Sequence, residues 1–375
     1  MKKSLLALAV LGAFAGAAQA QSSVTIYGIV DTGLVYTSKA VNATTGNTGS
    51  KFGLNSGIVQ GSRIGFKGVE DLGGGLSAVF QLETGFNNDN GALNGQDAGS
   101  TNLFRRKSVV GLSGGFGTVL AGRQTDFADT ISAYTSVNDF GGVTGAVGHN
   151  LDRLEGTRTN NSISYTTANL SGFTGNLMYG FGETAGKTSA GQSYGIGGKY
   201  DNGPLGLGIN YYQSKQGSTP SDTNLISTAN GAQAGNTAFK GLNVVASYQF
   251  GPARVYGNWS RVKQDLNTST TLARSLGNTT KADVYELGTA YSLSPSLKLL
   301  ASVQHTRADF ANGGNKGKLT QFNLGTDYWL SKRTDLYAFV SNIRATDMIN
   351  TGVYGDTTGS DASQTAVAVG VRHKF

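Results

Sequence analysis

The chain has 375 residues, no cysteine, 4 prolines, 56 glycines, only 14% charged residues and a formal charge of +7. Without cysteine, an exported chain has neither a disulfide framework nor thiolate chemistry, and the low charge, together with the lack of amphipathic helical periodicity and of capping boxes, argues against a soluble helical globule. The basic balance could serve nucleic acid, but export removes that partner and points instead to a basic lumen.

Met1 to Ala20 has Lys2 and Lys3, an apolar stretch from Leu5 to Ala18, and Ala18-Gln19-Ala20 as a small-x-small cleavage site. This predicts a cleaved secretory signal over 1–20, with the mature chain starting at Gln21 and its charge falling from +7 to +5 as the two lysines leave. The apolar stretch is too short to span a bilayer, and nothing after Ala20 offers 18 consecutive apolar residues. Any spanning therefore falls to strands, which must close on themselves to satisfy their backbone groups.

Period-two alternation follows along the chain. Val24, Ile26, Val30, Leu34 and Tyr36 oppose Thr25, Tyr27, Ile29, Asp31 and Gly33. Ile64 and Phe66 oppose Arg63 and Lys67, and Leu76, Ala78, Phe80 and Leu82 oppose Ser77, Gln81 and Glu83. The same division recurs at Phe173 to Phe181, Leu205 to Tyr212, Leu242 to Phe250 and Leu297 to Gln304. It ends in Thr365 to Phe375, where Val367, Val369, Val371 and Phe375 face away from Ala366, Ala368, Gly370, Arg372 and Lys374. A sandwich shares this period. Glycines on the polar side and aromatics such as Phe181, Tyr211, Phe250, Tyr291 and Tyr328 at strand ends favour a barrel in lipid.

Seven short connections punctuate the strands: Asp71 to Gly75, Ser113 to Gly117, Asn169 to Gly172, Asp201 to Pro204, Gly251-Pro252, Ser292 to Ser296 and Leu330 to Arg333. Eight longer polar stretches lie near 37–61, 85–103, 125–157, 182–192, 213–240, 263–281, 307–317 and 345–363. Short turns on one side and long loops on the other predict an all-β fold: a 16-stranded antiparallel transmembrane β-barrel with short periplasmic turns and long extracellular loops, as one domain over 21–375. A ring of that size encloses an aqueous channel.

Val24 to Asp31, Ser62 to Gly68 with Glu70 to Gly73, Val110 to Ser113 with Phe116 to Thr118, Gly122-Arg123-Gln124, Asn161 to Tyr165, Leu330 to Thr334 and the terminal Val371 to Phe375 occur in one order along the chain. With them the sequence resembles the general porins of beta-proteobacterial outer membranes. The resemblance implies an outer-membrane channel for passive diffusion of small hydrophilic solutes and ions. It implies a homotrimer among outer-membrane lipid and lipopolysaccharide, a third loop (about 125–157) folded inward as a constriction, and Phe375 as the signal to the outer-membrane assembly machinery. One departure is Arg105-Arg106-Lys107, where family members often have Asn-Arg-Gln, which leaves open which arginine points inward.

A pore discriminates by diameter and by the charges at its narrowest point. The acidic loop is expected to contribute Asp126, Asp129, Asp139, Asp152 and Glu155. The basic wall is expected to contain Arg63 and Lys67 by alternation, Arg106 by resemblance, Arg158 by its parity with Ser162 and Ser164, and Arg123. Basic residues on polar faces outnumber acidic ones such as Asp31, Glu83 and Asp327, which predicts weak anion preference. The histidines at 149, 305 and 373 have no metal-ligand spacing, and Gly182 to Thr188 lacks the first glycine of a phosphate loop. No cofactor, metal or catalytic residue is expected. The alternatives are a substrate-selective channel of the same fold and an outer-membrane barrel enzyme.

Overall fold

Alternating segments joined by tight glycine turns can pair only with their sequence neighbours, antiparallel, and the backbone does so all the way round. A computed structural model describes residues 23–42, 45–93, 102–141, 154, 156, 158–215, 239–264, 279–310, 316–348, 350–353 and 362–375. The expected signal over 1–20 lies outside them. The chain begins with β1 (Ser23–Val41), β2 (Thr48–Ser56), β3 (Arg63–Gly73), β4 (Leu76–Gly85), β5 (Lys107–Gly114) and β6 (Gly117–Thr125). Helix α1 (Phe127–Ile131), a 3-10 turn (Ser132–Tyr134) and helix α2 (Ser136–Phe140) come next. Then follow β7 (Arg158–Thr166), β8 (Phe173–Gly180), β9 (Ser193–Asn202), β10 (Leu205–Ser214), β11 (Phe239–Phe250) and β12 (Ala253–Gln264). The last are β13 (Thr279–Ser292), β14 (Leu297–Phe310), β15 (Lys316–Trp329), β16 (Thr334–Thr346) and β17 (Ser363–Lys374).

From β3 onward each strand pairs with the next, and β17 returns to β1 with Ile29 opposite Lys374 and Thr37 opposite Ala366. The seam ends on the last residue: Gly28 N donates to Phe375 O at 3.0 Å and Phe375 N to Gly28 O at 3.1 Å. On its other flank β1 carries two partners end to end. Its first part, Ser23 to Ile29, pairs with β3, and its later part, Thr32 to Val41, pairs with β2. β2 and β3 thus share one position, and the closed ring has sixteen.

This corrects the reading of 37–61 as a long polar loop. β1 runs on to Val41, and β2 places Phe52 and Leu54 opposite Tyr36 and Leu34 on the outer face, where they are exposed. Short apolar alternation inside a polar stretch, at Phe52 and Leu54, is the signal for it. The link between β2 and β3, residues 57–62, leaves the ladder and turns inward, with Ile58 fully buried.

The apolar flanks are the exposed ones. Leu34, Val110, Leu177, Ile196, Leu287 and Leu324 all point outward and are accessible. The buried set includes Asn210, Asn243, Ser260, Gln304, Gln321 and Asn323, a polar inner face. That inversion of a soluble core is what a lipid-facing barrel with a hydrated interior requires.

Candidate functional site: a cationic cavity beside the third loop

The segment after β6 is too polar and too rich in capping residues to continue a strand. Asp126 accepts a hydrogen bond from Ala128 N at 3.1 Å and caps α1, and Thr135 accepts from Val137 N at 3.3 Å and caps α2. The turns so formed pack on the inner wall of β9 to β16. Phe127 lies against Gly197, Ile131 against Gly208, Tyr134 against Gly206 and Phe140 against Gly325 and Phe339. Each fully buried apolar side chain, such as Ile131 or Phe140, contributes about 1.5–3 kcal/mol. Small wall residues are what allow this approach: a Cβ at Gly208 would meet Ile131 Cγ2 at 2.7 Å. Gly208→Phe is therefore expected to push α1 toward the lumen axis and lower single-channel conductance, at a packing cost of about 1–3 kcal/mol. Unchanged conductance in a planar bilayer would show that this segment does not bound the conducting path.

Polar contacts fix the same segment to the wall. Ser136 N donates to Glu286 Oε1 at 3.0 Å, and Gln304 Nε2 to Ser136 Oγ at 3.3 Å. Arg254 donates to Ala133 O at 3.1 Å and pairs with Asp139 Oδ2 at 2.6 Å, while the Tyr134 hydroxyl donates to Asp201. Burial pushes the Asp139 carboxyl above its ordinary value, although Arg254 pulls it the other way.

Opposite the helical turns lies the inward link 57–62. Asp31 is fully buried on β1 and accepts from Val59 N at 2.9 Å, Gln60 N at 2.7 Å and the Tyr337 hydroxyl at 2.6 Å. Ser62 Oγ closes the other end, accepting from Asp31 N at 3.0 Å. Between link and third-loop turns is a cavity of about 440 Å³, lined on the barrel side by Arg63, Arg106 and Arg158 and on the loop side by Asp129, Ser132 and Asn138.

Three of the arginines singled out in the sequence thus meet at one cavity. Arg106, not Arg105, lines it, and Arg106 Nε donates to Glu83 Oε1 at 2.7 Å. Glu83 lies 4.0 Å from Arg63 and accepts from Tyr27 at 2.9 Å, so it draws two guanidiniums together. Arg158 reaches the cavity by a different route from the one expected. A register shift beside Gly122 turns both Thr159 and Ser162 inward, with Thr159 bonded to Tyr212 and Ser162 to Gln124, so parity with Ser162 does not place Arg158. It lines the cavity because it opens β7 where the loop ends.

The remaining residues are dispersed. Lys67 is exposed, with its Nζ 5.5 Å from the Tyr27 ring centroid, away from the cavity lining. Arg123 pairs with Ser108 on the outward parity and donates to Arg105 O and Asn160 Oδ1. Of the described loop acids, Asp129 lines the cavity, Asp126 caps α1 and Asp139 faces Arg254 on the wall. Asp152 and Glu155 lie outside the described residues. Sequence reasoning counted Glu83 only among the acids of the polar faces and assigned no part to the link 57–62. Inward parity marked Glu83, and the adjacent apolar pair Ile58-Val59 in a polar stretch was the trace of the link.

Comparisons with known proteins agree with the barrel fold. A family model described as Gram-negative porin matches residues 7–348. Outer membrane porin protein 32 of Delftia acidovorans is 37% identical over 391 residues, covering 100% of both chains. An outer membrane porin protein of Bordetella pertussis is 32% identical over 410 residues, again covering 100% of both. Among solved structures, an anion-selective porin from Comamonas acidovorans superposes with a TM-score of 0.73 at 29% identity, covering 95% of this chain and 100% of that one.

Proposed function

Since the chain belongs to the Gram-negative porin family, and so forms an outer-membrane channel for passive diffusion of small solutes, we propose that its narrowest part is the cavity between Arg63, Arg106, Arg158 and Asp129, and that it weakly prefers anions. The observation that carries this reading is the imbalance at the cavity. Among the described residues, three guanidiniums line it against the single carboxylate of Asp129, while Asp126 caps its helix and Asp139 pairs with Arg254. Guanidinium keeps its charge in any environment and tolerates a like neighbour across water. Low-dielectric walls focus the resulting field on a passing ion. Glu83 limits the net charge, which keeps the preference weak. The solved neighbour described as an anion-selective porin supports the same sign.

The relatives are channel proteins, and diffusion through a wet lumen needs no catalytic group. A homotrimer with the third loop as constriction is the assembly this reading carries. The test is a planar-bilayer record of the purified protein in a salt gradient. Conductance steps in threes and a reversal potential of anionic sign are expected. A cationic sign would overturn the selectivity, and lone steps of a single size would overturn the trimer.

A further inference from the structure

The inward faces of β1, β3 and β4 bring a tyrosine, a glycine and a glutamate onto one rung, with Tyr27 opposite Gly65 and Gly65 opposite Glu83. The tyrosine therefore starts two strands away from the carboxylate, about 10 Å across the sheet. The glycine between them is what lets the ring cross. A Cβ at Gly65 would run into the Tyr27 ring, so the phenol lies over bare backbone and its hydroxyl donates to Glu83 Oε2 at 2.9 Å. The same hydroxyl accepts from Gln81 Nε2 at 2.6 Å, which leaves its own proton for the carboxylate.

The two oxygens of Glu83 are thereby divided. Oε1 takes Arg106 Nε at 2.7 Å and lies 4.0 Å from Arg63, while Oε2 is held by the phenol. A carboxylate free to turn would offer both oxygens to a guanidinium, the bidentate pairing that holds most tightly. The phenol opposes that turn, and its dipole offsets part of the carboxylate's charge. Both effects leave Arg63 and Arg106 less neutralised at the cavity they line.

We infer that Tyr27 is a positioning residue for ion selectivity, which by holding Glu83 Oε2 fixes how much of the arginine charge the carboxylate cancels. Tyr27 is outside the cavity lining and so acts through Glu83, not on the passing ion. The inference rests on the cavity proposed above as the selective point. Lys67 Nζ stands 5.5 Å from the Tyr27 ring centroid, a contact that phenylalanine would keep.

The test places Tyr27→Phe in the unmodified protein and in Glu83→Gln, and reads the reversal potential of the full barrel in a planar bilayer. In the unmodified background, at about 0.1 M salt, the permeability ratio is expected to move toward cations by on the order of twofold. In Glu83→Gln, where no carboxylate remains to be held, the same substitution is expected to leave the ratio unchanged. Gly65→Ala displaces the ring and keeps the hydroxyl. It is expected to give the same shift and to lose it in the same background, which preserves the comparison if the phenylalanine barrel does not assemble. An unchanged ratio in the unmodified background, a shift toward anions, or equal shifts in both backgrounds would overturn the proposal. A tyrosine that merely packed would move both backgrounds alike. The sign of the unmodified protein's reversal potential tests the anion preference, whereas the difference between backgrounds tests Tyr27, so either can fail without the other.

Discussion

Replacing Arg63, Arg106 and Arg158 together by glutamine is expected to reverse the sign of the reversal potential in a salt gradient. The three guanidiniums line one cavity, and without them Asp129 in its lining and Glu83 beside it would remain. A unit charge at about 7 Å contributes roughly 0.6 kcal/mol in water and more between low-dielectric walls, or about threefold in the local concentration of a monovalent ion. Three such losses, acting oppositely on anions and cations, change the permeability ratio on the order of tenfold or more. The effect should be read near 0.1 M salt, where the screening length is about 10 Å, and should shrink toward 1 M as that length falls to about 3 Å. A ratio unchanged by the triple substitution would place the selective point elsewhere in the lumen. Glu83→Gln serves as the opposite arm: removing the carboxylate that draws Arg63 and Arg106 together should strengthen anion preference.

Asp31→Leu is expected to cost on the order of 3–5 kcal/mol of barrel stability, measured as a lowered urea midpoint in lipid vesicles. Its carboxylate accepts from two backbone N–H groups of the inward link and from the Tyr337 hydroxyl, with Asp31 itself fully buried. Leucine would strand those donors, and each unsatisfied buried donor costs about 1–3 kcal/mol. Since the link forms one side of the cavity, the loss should also appear as noisier open-channel current. Asp31→Asn keeps an acceptor oxygen and is expected to lose less. Equal stability of the leucine variant and the parent would mean that Asp31 does not hold the link.

The period-two pattern and the glycine turns announced the barrel because lipid and water impose their division on every strand locally. Six of the seven turns contain Gly, Asn, Asp or Pro, the exception being Leu330 to Arg333, and the terminal strand closes on β1. Where alternation was interrupted, reading by parity failed. The pair Phe52 and Leu54 was too short a signal to reveal β2, and the register shift beside Gly122 separated Arg158 from the parity of Ser162.

Residue type alone established that this chain puts apolar flanks outward and surrounds a polar interior, because that division depends only on each side chain and its immediate neighbours. Which charges meet at the cavity was settled by packing across the barrel. Asp139 turns to the wall because Arg254 waits there, and Arg106 reaches the cavity alongside Arg63 because Glu83 on the neighbouring strand holds both. Those outcomes depend on partners tens to hundreds of residues away, and no local period in the chain encodes them.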